Sequence, residues 1–170
     1  MKVINKNKLT INRYFYIYKK IMKSNFDEDL ILGKKFELET KTILGGGNNL
    51  VIMDGYFPEY DIIDKDTGFK YEVKCCRRTL ETRNICIEYK YKGYFSGISK
   101  TTSDYYYYFP IDYYLEYYYY YVIPTSYIKE LIKNKKWILD TKTENANIYL
   151  FPISLFGEYL IQSSNAICLV

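Results

Sequence analysis

Histidine is absent from this 170-residue chain, and its absence removes several chemistries at once. A Ser-His-Asp triad, a Cys-His dyad, a Cys₂His₂ finger and a histidine-based nuclease all need an imidazole. Acid–base work must therefore fall to Glu, Asp, Lys or Tyr. Cysteine is scarce: Cys75, Cys76, Cys86 and Cys168, with no Cys-x-x-Cys pair. Adjacent cysteines make a poor disulfide framework, and the spacing does not suit a four-thiolate zinc site. Reduced thiols in a cytosolic or nuclear compartment are the expectation. No apolar stretch is long enough to span a bilayer, and Met1-Lys2-Val3-Ile4-Asn5 lacks the apolar core of a signal peptide. The reading is a soluble, intracellular protein with no membrane partner.

Tyrosine, by contrast, is abundant. There are 23, crowded into Tyr105–Tyr108 and Tyr117–Tyr121. Lysine, asparagine and isoleucine are frequent too, and all four residues use AT-rich codons, which fits an AT-rich microbe, a virus or a mobile element. The tyrosine runs are aromatic and β-prone, so they read as strands rather than as disorder. The formal charge of +4 is mild. It permits nucleic-acid binding, for which a local basic patch matters more than the total. The length suits one domain with a proper core.

Residues 1–25 are basic and aromatic, with Tyr14, Ile17, Tyr18 and Ile21 at helical spacing, and are expected to form a helix packed on the domain of residues 26–170. Asn25 can cap a second helix with Asp27, Glu28 and Asp29 in its first turn. Its apolar stripe would be Leu30, Ile31, Phe36 and Leu38, continuing to Ile43 and Leu44, and Gly45-Gly46-Gly47 would end it. The period then changes. Strands are predicted at 50–53, 60–64, 69–75, 85–91, 103–109, 117–123 and 148–151, with a turn over Lys65–Gly68 and another at Lys92-Gly93. Pro124 followed by Thr125 or Ser126 opens a helix striped by Tyr127, Ile128, Leu131 and Ile132. The order predicts a mixed α/β or α+β domain with a central sheet.

Chemistry concentrates at Asp61, Glu72 and Lys74. On a strand, Glu72 and Lys74 point to one face while Val73 points to the other. If strands 60–64 and 69–75 form a hairpin, Asp61 joins them. Two carboxylates suit a hard divalent cation, and a lysine beside them can position or deprotonate a water. Glu-x-Lys on a strand is also a common solvated pair of little energetic weight. Downstream, Arg77, Arg78, Lys90, Lys92, Ser99, Lys100, Thr101 and Thr102 form a basic, hydroxyl-rich set suited to phosphate oxygens, although such residues are often plain surface charge. Glu88 reads either as a second metal ligand or as a structural partner for Lys90 or Arg77.

Pro58-Glu59-Tyr60-Asp61 followed by Tyr71-Glu72-Val73-Lys74 resembles the signature of the PD-(D/E)XK nuclease superfamily, with its restriction-endonuclease-like central mixed sheet flanked by helices. Gly33-Lys34-Lys35-Phe36-Glu37 resembles the helix that carries a further glutamate in that superfamily, which makes Glu37 a candidate, ahead of Glu39 and Glu28. The resemblance continues through Ile85–Glu88, Gly93, Ser96–Ser99 and Thr102–Tyr106. It implies Asp61, Glu72, Lys74 and Glu37 as catalytic residues and Asp61, Glu72 and Val73 as metal ligands. It also implies Mg²⁺, or Mn²⁺ in its place, as cofactor. The activity implied is endonucleolytic cleavage of duplex or branched DNA in a homing, restriction, resolvase or repair setting, and a homodimer is plausible for cutting both strands. Glu59 and Tyr60 stand between Pro58 and Asp61, so a metal role for Glu59 or Asp54 stays open. Two other readings are carried: a catalytically inactive nucleic-acid-binding module on the same fold, and a tyrosine-rich interaction protein.

Overall fold

The computed structural model describes residues 26–163, apart from 56, 113, 115, 143 and 144. The chain divides into two compact units, residues 1–32 and 33–170. The helix expected within residues 1–25, its packing, and Cys168 lie outside the described residues.

Helix α1 runs from Phe26 to Ile43. The expected stripe needs correction: Leu30, Ile31 and Leu38 are exposed, and the buried positions are Leu32, Phe36 and Thr40. These stand four residues apart and so share one face. Thr40 tolerates burial because its hydroxyl donates to the Phe36 carbonyl at 2.8 Å, within its own helix. The glycines end the helix as anticipated. Gly45 and Gly46 adopt φ of 106° and 69° and donate to the Thr42 and Lys41 carbonyls.

A six-stranded sheet follows, built from β1 (Leu50–Ile52), β2 (Ile62–Asp64), β3 (Lys70–Cys76), β6 (Tyr105–Pro110), β7 (Tyr119–Pro124) and β10 (Leu160–Gln162), in the order β1-β2-β3-β6-β7-β10. It is mixed: β3 and β6 are parallel and every other neighbouring pair is antiparallel. The predicted hairpin between β2 and β3 forms, pairing Ile62 with Tyr71. The turn is fastened by Asp64, whose carboxylate accepts from Asn49, Thr67 and the Asp66 amide at 2.8–2.9 Å. A second, antiparallel sheet has the order β5-β4-β9-β8 and comprises β4 (Asn84–Tyr91), β5 (Tyr94–Phe95), β8 (Leu139–Lys142) and β9 (Ala146–Pro152). Short helices α2 (Thr79–Thr82) and α3 (Thr125–Lys133) complete the set, with 3-10 turns at Gly97–Ser99 and Ile153–Tyr159. The fold is thus mixed α+β around a mixed sheet, as expected.

The tyrosine run of β6 is explained by burial on both faces. Tyr106 and Tyr108 enter a core with Ile85, Ile87, Tyr121, Ile123, Ile128, Phe151 and Phe156. Tyr107 and Phe109 face the other way, against Tyr71, Tyr120 and Phe36, with the Phe36 and Phe109 rings 4.9 Å apart. A strand covered on both faces shows no polar alternation, which is why the run looks featureless in sequence.

Gly97 has a specific task in the 3-10 turn that follows β5. Its φ is +46°, and a Cβ there would run into the Glu88 backbone carbonyl. Gly97→Ala is expected to cost about 2 kcal/mol in stability, read as a lower urea midpoint at unchanged slope. An unaltered midpoint would show that this turn is not constrained by the approach to β4.

Candidate metal and catalytic site

Asp61 sits immediately before β2. Its amide donates to the Tyr71 carbonyl at 2.9 Å, and its own carbonyl accepts from the Met53 amide at 2.8 Å. The backbone is thereby clamped on both sides. Its carboxylate Oδ2 accepts the Val73 amide at 2.7 Å, reaching across to the strand that carries Glu72 and Lys74. Those two lie on one face of β3, and the Lys74 Nζ meets Glu72 Oε1 at 2.8 Å. The three predicted residues therefore converge at one place, where β2 begins beside the middle of β3.

Glu72 is buried, whereas the Lys74 side chain keeps 44% of its surface accessible. Behind Glu72 lies Thr101, with three acceptors in reach of one hydroxyl proton: the Glu59 carbonyl at 2.8 Å, Ser103 Oγ at 2.9 Å and Glu72 Oε2 at 3.2 Å. Ser103 Oγ passes the network on to Thr125 Oγ1 at 3.1 Å. Thr101 was expected to meet nucleic-acid phosphate, and this is corrected: it is buried and turned inward. It supports the Glu72 carboxylate instead. Residue type cannot reveal this, because a threonine in a hydroxyl-rich loop reads the same whichever way it turns.

The charges act strongly on one another. Burial pushes the Asp61 carboxyl up to about 6; the Lys74 ammonium pulls it down, Glu72 pushes it up, the Val73 amide pulls it down and Glu37 adds a smaller upward push. For Lys74, burial opposes the charge, but Glu72 and Asp61 outweigh it and hold the ammonium above its ordinary range. Lys74 is therefore a fixed cation here. In the metal-free protein this suits the positioning role.

Glu37 lies on α1, as predicted, and its field reaches Asp61. It is paired with Lys34 at 2.9 Å, and Lys34 also donates to the Met53 carbonyl at 3.1 Å. The alternatives are placed elsewhere: Glu39 accepts from the Tyr117 hydroxyl at 2.6 Å, and Glu28 is exposed. Glu88 accepts from Ser96 Oγ at 2.7 Å. Asp54 and Glu59 are exposed, and Glu59 contributes its carbonyl, which also accepts the Thr102 amide at 2.8 Å.

Asp61, Glu72 and the Val73 backbone offer hard oxygen donors. Among the described residues no group of three or more His, Cys, Asp or Glu side chains converges. Two carboxylates nevertheless suit Mg²⁺, which keeps several waters and needs only one or two protein carboxylates. The clearest sign of fit is Asp61 itself, whose ionised form is disfavoured by burial and by neighbouring carboxylates; a divalent cation would relieve both.

Arg78, Ser99, Lys100 and Thr102 are exposed, and Arg77 is half-buried. Lys90 and Lys92 lie on the β4–β5 hairpin, with their ammonium groups 5.0 and 5.4 Å from the Phe95 and Tyr91 ring centres. Tyr94 and Phe95 at the hairpin are 79% and 61% exposed.

Two groups escape sequence reasoning. One is Tyr106, the parallel-strand neighbour of Glu72. The other is the thiol pair Cys76 and Cys86. The Cys86 thiol, with Thr79 and Tyr108, draws the Cys76 thiol below its ordinary range despite burial. Cys76 is expected to alkylate with iodoacetamide at pH 7 faster than Cys86, as read by peptide mass spectrometry, because the thiolate is the nucleophile. Equal labelling of the two would contradict that ordering.

No family model matches the chain, and no curated protein matches it.

Proposed function

We propose that this protein is a divalent-cation-dependent endodeoxyribonuclease. The observation that carries the reading is the convergence of Asp61, Glu72 and Lys74 at one end of the β2–β3 pair. Asp61 and Glu72, with the Val73 backbone, would hold Mg²⁺ or Mn²⁺. That ion supplies Lewis acidity and an activated water when bound. Lys74, beside them, would orient the scissile phosphate and offset charge developing on its oxygens. Thr101 fixes Glu72 from behind, and Glu37 adds a carboxylate to the field at Asp61.

DNA as substrate is supported by exposed aromatic and basic groups. The exposed Tyr94 and Phe95 offer stacking faces for bases, and Lys90, Lys92, Arg78 and Lys100 offer cations for the backbone. A homodimer would let two such sites act on opposite strands. The same hairpin favours a second reading, a nucleic-acid-binding module without cleavage, because stacking and charge do not require the carboxylates.

Cleavage of linear duplex, single-stranded and branched DNA separates the two. The expected result is nicking or cutting with Mg²⁺ or Mn²⁺, none in EDTA, and loss in Asp61→Ala and Glu72→Ala. Binding without cleavage under all conditions would favour the second reading. Cleavage surviving either substitution would remove the assignment of these residues.

A further inference from the structure

Tyr106 and Tyr108 stand two residues apart on β6, on one face and in one core, and each is only 1% exposed. The fold treats their hydroxyls differently. That of Tyr108 is fully provided for, at 2.7 Å from Thr79 Oγ1 and accepting the Cys86 amide at 3.2 Å. That of Tyr106 is buried with no hydrogen-bond partner, the one such side-chain atom among the described residues. A buried polar group left unpaired costs stability. Phenylalanine would avoid the cost and fill the same space.

Position explains what the hydroxyl is beside. The parallel pairing of β3 with β6 sets Tyr106 next to Glu72 and Tyr108 next to Lys74. Glu72, Lys74, Asp61 and Glu88 are the charged groups whose fields reach the Tyr106 hydroxyl. Glu88 already has Ser96, and Asp61 has the Val73 amide. Among the described residues Glu72 is ion-paired with Lys74, and Lys74 is the member of that pair with access to solvent. A phosphate arriving at the site would compete with Glu72 for the ammonium.

We infer that Tyr106 is a positioning residue of this site: its hydroxyl is a donor held in reserve, which takes the Glu72 carboxylate when Lys74 turns to a substrate phosphate. The exchange keeps a buried carboxylate hydrogen-bonded through the cycle and leaves Lys74 free to follow the phosphate. The identity of the competing anion rests on the nuclease reading, while the readiness of Tyr106 to replace Lys74 belongs to the free protein and is measurable there.

Thermal melts in EDTA of wild type, Tyr106→Phe, Lys74→Met and the double variant read it directly. In the wild-type background Tyr106→Phe is expected to raise the melting temperature by about 2–5 °C, since the hydroxyl has no partner to lose and the cost of burying it is removed. In the Lys74→Met background, where the hydroxyl has turned to Glu72, the same change is expected to lower it by a further ~5 °C. Equal shifts in both backgrounds would overturn the inference. A purely structural tyrosine gives that additive result, because it does not sense Lys74. Single-turnover cleavage adds a second readout: Tyr106→Phe should slow the step roughly tenfold at saturating DNA with unaltered DNA affinity. A wild-type rate would count against it. If the wild-type protein cleaves nothing, the nuclease reading falls, and the melts still decide whether Tyr106 replaces Lys74 at Glu72.

Discussion

Asp61→Asn is expected to unfold at a higher temperature than the wild-type protein at pH 8 in EDTA, while losing DNA cleavage. The reason is the cost of the charge. Burial and the carboxylates of Glu72 and Glu37 push the Asp61 carboxyl up to about 6 from an ordinary 3.8. A raised carboxyl pKa means that the fold prefers the protonated form. Metal-free stability from this group is therefore greatest below about pH 4 and is lost as pH rises through 6, by up to about 3 kcal/mol. Asparagine keeps an oxygen for the Val73 amide, now bonded at 2.7 Å, and removes the charge. For a chain of this length about 1 kcal/mol corresponds to ~2–4 °C. A melting temperature below wild type at pH 8 would show that Asp61 is a stabilising anion, not a strained ligand awaiting a cation.

Lys74→Met is expected to act in the opposite sense on stability and in the same sense on activity. Glu72 is buried and takes an ion pair from Lys74 at 2.8 Å. Without the ammonium, the carboxylate keeps the long contact from Thr101 at 3.2 Å and the Tyr106 hydroxyl that turns to it. A buried acceptor stripped of its partner costs about 1–3 kcal/mol, and the solvent access of Lys74 places the loss toward the lower end of that range. Cleavage should fall by roughly 10²–10³-fold, the usual scale for removing a group that meets charge in the transition state. Chemical denaturation and single-turnover rates check the two parts separately. Unchanged stability with lost activity would mean that the Glu72–Lys74 contact is incidental to the fold. Lost stability with full activity would mean that Lys74 does not meet the substrate.

Much of this arrangement is legible in the sequence, for identifiable reasons. The alternation of Tyr71-Glu72-Val73-Lys74 sets Glu72 and Lys74 on one face, and the four-residue Lys65–Gly68 turn brings Asp61 across, because hairpins are local. The end of α1 is legible from its glycines. The stripe of α1 is misread because Thr40 is buried and Leu38 is not; a threonine that bonds its own helix counts as apolar for packing, and residue type hides that. β8 is missed because Leu139-Asp140-Thr141-Lys142 carries no apolar alternation, and its pairing to β9 is settled by backbone bonds instead. The parallel pairing of β3 with β6 joins residues 34 apart, with α2, β4, β5 and a 3-10 turn between them. That non-local contact places Tyr106 beside Glu72 and brings the loop carrying Thr101 behind the site, and no local pattern encodes it.

Titration of Mn²⁺ into the metal-free protein by calorimetry at pH 8 tests the central claim most directly, and it does so without a substrate. The expected result is saturable binding by the wild-type protein that weakens as pH falls below about 6, where Asp61 holds its proton, and that disappears in both Asp61→Asn and Glu72→Gln. Wild-type affinity in either variant, or no binding by the wild-type protein at any pH, would contradict the assignment of these two carboxylates as the cation's ligands.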